Sequence, residues 1–288
     1  MKFFIKRKWK SDKKRFLSCL TAMCLGLLVF SAALAADAWN CPECGRIGNT
    51  GNYCGGCGHA SPSIESLNND SVLEKKNADE FRRVGNIVTL GHYEQDNNPE
   101  NGAEEIEWIV LDYDEKEHKA LLISRYGLDA KPYHTEHQVT WETCTLRTWL
   151  NGEFAQAAFS AKERTAILKT AVENGVHQGF SGWNTLGGNN TTDQIFLLSY
   201  HEASDLYFTG NDGRICALTD SAVDHGARLK ISKEDGRTVG WWWLRSPGQN
   251  QDSAAFVSYD GSLGNHDVIL TSGAVRPALW LSLDLGIF

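Results

Sequence analysis

Val239-Gly240-Trp241-Trp242-Trp243-Leu244-Arg245-Ser246-Pro247-Gly248 and Ala274-Val275-Arg276-Pro277-Ala278-Leu279-Trp280-Leu281 are the stretches that decide the fold. Each is a run of β-branched and aromatic residues with glycine or proline as punctuation, which predicts strands over Val239–Arg245 and Ala274–Leu281. Side chains alternate along a strand, so Trp241 and Trp243 share one face and Trp242 takes the other. Between them Ala254–Tyr259 reads as a further strand, followed by the turn signal Asp260-Gly261. Upstream, Asn86–Tyr93 reads as a strand, and Ile106–Tyr113 with Lys119–Ser124 as a hairpin about the acidic turn Asp114-Glu115-Lys116-Glu117. The middle of the chain is helical in pattern. Glu142–Leu150 places Leu146, Trp149 and Leu150 on one side, with Asn151-Gly152 as its stop. Ser160 with Glu163, and Ser199 with Glu202, have the spacing of reciprocal helix caps. Short helices between strands at both ends predict an α+β domain over residues 84–288, its first and last strands in one sheet.

Spaced blocks through this region resemble a bacterial domain family of unknown function. They are Gly91-His92-Tyr93-Glu94-Gln95, Ile106-Glu107-Trp108-Ile109-Val110-Leu111, Leu146-Arg147-Thr148-Trp149-Leu150-Asn151, Phe159-Ser160 and Thr192-Asp193-Gln194-Ile195-Phe196-Leu197-Leu198-Ser199. Trp242-Trp243-Leu244-Arg245-Ser246-Pro247-Gly248 and Val275-Arg276-Pro277-Ala278-Leu279-Trp280 complete the set. That resemblance brings no activity. The two closing blocks are also similar to those of C-type-lectin-like domains, including the sulfatase-modifying group. This implies a twisted mixed sheet with short helices and a long, loop-rich ligand-facing region. The fold hosts binders and oxidases alike, so it does not choose a function. The oxidase chemistry needs a paired thiol site, and the domain offers only Cys144 and Cys216, which could meet at most as a disulfide.

Four residues of the domain are candidate ligand contacts: Trp183, Asp193, Arg245 and Arg276. Trp183 lies in the glycine-rich stretch 179–190, where a flat ring can stack on a sugar or peptide. Most of the ten tryptophans read as core. Arg245 and Arg276 could anchor an anionic ligand or clamp a carboxylate and main-chain carbonyls. The clamp is the reading adopted, with Asp193 as the expected partner. His134 and His137 lack a third ligand and a helical pattern, and Asp96-Asn97-Asn98 with Glu100 and Asn101 fits no defined calcium loop; both read as polar loops.

Ahead of the domain, Cys41-Pro42-Glu43-Cys44-Gly45 and Cys54-Gly55-Gly56-Cys57-Gly58 form two matching knuckles. Two residues between cysteines let both thiolates reach one tetrahedral ion, which predicts a small N-terminal zinc ribbon over residues 37–60. Its structural zinc would be held by Cys41, Cys44, Cys54 and Cys57, with two disulfides as the competing state. Four thiolates leave no position for water, so the ion would not be catalytic. Residues 61–83 read as a linker. Residues 1–36 join a basic start to an apolar run from Phe16 to Ala36, with Ala33-Leu34-Ala35 suited to cleavage. The segment serves as a signal sequence if cleaved and as a membrane anchor if retained.

The first 35 residues carry a net +7 against −8 for the whole chain, so the remainder carries −15. Such a field repels polyanions, which argues against nucleic acid as a partner. No phosphate-cradling glycine loop, metalloprotease helix motif or serine-hydrolase elbow occurs. The sequence therefore leads to an exported protein, at the cell surface, membrane-anchored or secreted. Its expected role is a non-catalytic binding or interaction module for a glycan, peptide or protein ligand. An envelope enzyme acting on glycans or polypeptides is the alternative.

Overall fold

The computed structural model describes residues 78–175, 184–232 and 235–284, all within one compact unit, Glu65–Phe288. The ribbon cysteines Cys41, Cys44, Cys54 and Cys57, the export segment and Trp183 lie outside the described residues. Among the described residues no helix is long and apolar enough to cross a membrane.

The fold is mixed helix and sheet, mostly strand with a few short helices. The strands begin with β1 (Ile87–Tyr93), β2 (Glu104–Asp114), β3 (Lys119–Ser124) and β4 (Asp129–Ala130). The middle of the chain adds β5 (Thr170–Val172), β6 (Thr191–Asp193), β7 (Ile195–Phe196) and β8 (Cys216–Ala217). After these come β9 (Leu229–Ile231), β10 (Thr238–Gly240), β11 (Trp242–Pro247) and β12 (Ser253–Val257). Last are β13 (Leu263–Asp267), β14 (Ala274–Val275) and β15 (Ala278–Ser282). One antiparallel sheet runs β1-β2-β3-β15-β7. A second runs β13-β12-β11-β14-β4 and is mixed, because β11 and β14 pair in parallel. Smaller sheets are β8-β10-β9 and β5-β6.

The first sheet holds both β1 and β15, as the pattern predicts, with two strands between them. Its core side is set by alternation: Ile106, Trp108 and Val110 of β2 are buried while Glu107 and Ile109 between them are not. The Trp108 indole donates to the Leu90 carbonyl at 2.8 Å, so the buried ring keeps its polar end satisfied. Gly91 sits at φ +71° in the β1 irregularity, and a Cβ there would lie 2.5 Å from the Ala158 carbonyl oxygen. Only glycine fits that approach.

Two expected strands divide. Ala274–Leu281 breaks at Arg276-Pro277, so β14 serves the second sheet and β15 the first. Proline has no N–H for a ladder, which favours a crossing between sheets at that step. Val239–Arg245 likewise divides between β10 and β11, at Trp241. Trp241 and Trp243 still pack together, ring centroids 4.7 Å apart, and Trp242 sits instead against Phe208.

The helix expected to stop at Asn151-Gly152 does not stop there. Thr145–Trp149 continues through a wide turn, Leu150–Phe154, into Ala155–Ala158. Asn151 is retained inside it because its side-chain oxygen accepts from the Gln194 and Ile195 N–H groups while its amide donates to the Ile195 carbonyl. The chain before Val84 is also not all linker, since Phe81 is buried in the core. Cys144 and Cys216 are both buried and free, so they form no disulfide.

Candidate functional site

A cleft of about 630 Å³ opens where β5, β7, β11 and β15 meet the turn after Ser199. Its floor is Arg245, which is 5% exposed. The pairing of β11 with β12 slips between Trp243 and Pro247, a kind of irregularity that re-aims side chains next to sites. Within this slip the Arg245 N–H donates to the Leu198 carbonyl, and its own carbonyl accepts from the Tyr133 hydroxyl.

Every guanidinium nitrogen of Arg245 has an acceptor. Nε and Nη2 donate to the Glu173 carbonyl at 3.3 Å, Nη1 donates to the Leu197 carbonyl at 2.9 Å, and Nη1 and Nη2 grip both oxygens of Glu202. Glu202 reached this position through the helix cap anticipated from its spacing. Its Oε2 accepts from the Ser199 N–H at 2.7 Å, and the Ser199 hydroxyl accepts from the Glu202 N–H at 3.1 Å. Burial opposes the charge on Glu202, but the Arg245 guanidinium and the Ser199 bonds outweigh it, holding the carboxyl below its ordinary range. One carboxylate thus caps a turn and closes an ion pair.

Around this floor stand Asn174, Asn190, Ser199 and Ser246 as polar groups, with Phe196 and Trp280 as rings. Asn174 is held by its N–H donating to Asn190 and its amide donating to the Asn189 carbonyl and Thr191. Its Oδ1 is buried with no partner among the described residues.

The expected partner of the arginines was Asp193, and the structure corrects this. Asp193 is buried and accepts from Arg147 Nε at 2.6 Å, the Trp141 indole at 2.9 Å and the Thr191 hydroxyl at 2.7 Å. Its lone pairs are committed to fastening β6 to the helical segment, so it is neither the clamp for Arg245 nor a surface for a ligand.

Arg276 differs from Arg245. It is 1% exposed, donates from Nε to the Ser124 carbonyl at 2.9 Å, and stacks over Trp242 and Phe208. Nη1 is buried without a partner among the described residues. Burial lowers its pKa. It takes no part in the cleft.

Sequence reasoning missed Arg147 and Glu202 as the partners, and Arg214, whose guanidinium binds the Gly261 and Ala203 carbonyls and the Asn211 side chain. His134 and His137 face different partners: His134 accepts from the Thr145 N–H, and His137 lies by Asp252 and Asp267. Glu94, Asp96 and Glu104 approach within 4.8 Å of one another, but their oxygens tie the loop through bonds from the Gln95 and Asn98 N–H groups and the Asn101 amide.

The family model described as Domain of unknown function (DUF6273) matches residues 117–283. No curated protein and no solved structure matches the chain.

Proposed function

We propose that this chain, which belongs to the DUF6273 family of unknown function, is a non-catalytic ligand-binding module of the cell envelope whose site is the Arg245–Glu202 cleft. The observation that carries the reading is that the cleft's buried charges are already satisfied by each other. All of the Arg245 nitrogens are engaged. Glu202 is held ionised, so it is poorly suited to give up a proton. What is left inside to meet a ligand is a set of amides, hydroxyls and two rings, with the exposed Glu173 carboxylate and the Asp205-paired His201 also on the lining, in a volume usual for a small-molecule site. A ligand of no net charge, such as a cell-wall glycan or a short peptide, fits that chemistry best. On the resemblance of the closing blocks, the architecture is read as C-type-lectin-like, with this cleft in its loop-rich region. Export by residues 1–36, as signal or anchor, and a structural zinc on Cys41, Cys44, Cys54 and Cys57 belong to the same proposal.

The test is a panel of neutral cell-wall oligosaccharides and wall peptides against the full-length chain, with calorimetry for binding and mass spectrometry for turnover. His201→Ala, at the exposed rim, is expected to weaken a hit without lowering the melting temperature. Turnover of any panel member would overturn the binding reading, and binding unchanged in His201→Ala and Asn190→Ala together would remove it from this cleft.

A further inference from the structure

A second groove, sharing no lining residue with the cleft, lies between β9 and β13. It encloses about 410 Å³ and is lined by Arg228, Lys230, Trp241, Tyr259, His266 and Ser272, among others. Its charge is unusual for this chain. Apart from the export segment the protein is strongly acidic, yet neither Arg228 nor Lys230 has an ion-pair partner among the described residues, and both are exposed. They stand two apart on an extended segment, where side chains share a face. The Arg228 N–H donates to the Ser272 carbonyl, which fixes the start of that segment against the far wall. The Lys230 ammonium lies 6.0 Å from the Tyr259 ring centroid. His266 is stacked on Phe256 at 4.2 Å and tilted against Trp241 at 4.9 Å. Burial and then Arg228 lower its pKa, so at neutral pH it offers a neutral donor and acceptor.

We propose that this groove is a second binding site, for the ring of an acidic sugar bearing a carboxylate. A guanidinium and an ammonium on one face supply charge-assisted bonds to the carboxylate. The Tyr259 ring offers a surface for the apolar face of the sugar. Ser272 and neutral His266 can exchange hydrogen bonds with its hydroxyls. The volume suits one or two rings. An extended polyanion is disfavoured, because the acidic body repels every part of it that lies outside the groove.

The probes are D-glucuronate, D-glucose and inorganic phosphate, titrated into the full-length chain by calorimetry and saturation-transfer NMR. Glucuronate is expected to bind about tenfold or more tighter than glucose, because a charge-assisted bond distinguishes them. Arg228→Gln with Lys230→Gln should erase that margin, whereas Arg228→Lys should keep most of it. Neither change should alter binding in the Arg245–Glu202 cleft, so the two sites fail separately. Three results would each overturn the proposal: glucuronate no tighter than glucose, the double variant binding like wild type, or phosphate binding as tightly as glucuronate. The last would mean that the ring contributes nothing.

Discussion

Arg245 and Glu202, 43 residues apart, meet in a two-pronged pair in which Nη2 donates to Oε1 at 2.9 Å and Nη1 donates to Oε2. The same Glu202 carboxylate caps the turn that begins at Ser199, and the same guanidinium holds the carbonyls of Glu173 and Leu197. Three separate pieces of chain are therefore joined at the cleft floor by one guanidinium. A lysine in place of Arg245 has the charge but lacks the planar fork. Arg245→Lys is expected to lower stability by about 3 kcal/mol, the lower end for breaking a buried pair, since Glu202 keeps partial access to water. Denaturant unfolding checks this; a variant that unfolds like wild type would show that the fork holds nothing.

Acid should act on the same pair. The folded-state pKa of Glu202 is depressed below its ordinary value of 4.5. The stabilisation it brings is fully present above that value and is lost as pH falls through the folded pKa. Glu202→Gln should thus melt well below wild type near neutral pH, and the gap should hold down to about pH 5 and narrow only below that, as pH falls through the folded pKa. A gap independent of pH would show that the carboxylate's charge is not what stabilises the floor.

Those two residues also mark the boundary of what the sequence makes legible. The Ser199–Glu202 cap is readable because both partners lie within one helical turn, and local spacing determines their geometry. That Glu202 also meets Arg245 depends on how β11 slips against β12 and where β7 ends, which no local pattern states. Asp193, the expected partner, is an acid that follows the glycine- and asparagine-rich stretch 179–190 in one of the resembling blocks. It lost to Arg147 and Trp141, brought to it by a helical segment 46 to 52 residues earlier. The break of the last strand at Arg276-Pro277 had a signal in the proline, overridden by the apolar run on either side. Asn151-Gly152 looked like a helix stop because its use, binding the backbone of β7, lies 44 residues away.

The cysteine quartet makes a separate expectation. Purified full-length chain should carry one zinc per chain by elemental analysis, and Cys41→Ser should release it while the larger domain keeps its unfolding transition. Finding no zinc, with two disulfides by mass, would assign Cys41, Cys44, Cys54 and Cys57 to cross-links.

The two closing-block arginines should respond unequally to an apolar replacement. Arg245 has an acceptor for each nitrogen, and its removal would leave Glu202 without its counter-charge. Arg276 is just as buried but has no carboxylate partner among the described residues. It makes one hydrogen bond, to the Ser124 carbonyl, and leaves Nη1 unsatisfied. Its burial disfavours its own charge, and stacking over Trp242 at 4.9 Å and Phe208 at 5.5 Å offsets only part of that cost. Methionine matches the length of the arginine stem and can pack its sulfur against the same rings. Arg276→Met should therefore cost under about 1.5 kcal/mol, because it trades one hydrogen bond for relief of a buried charge. Arg245→Met should cost about 3 kcal/mol or more, because it strands a buried carboxylate. Denaturant unfolding of the two variants side by side decides the matter. If Arg276→Met proves the more damaging, the sandwich between Trp242 and Phe208 stabilises the cation far beyond an ordinary ring contact, and the step between the two sheets depends on it.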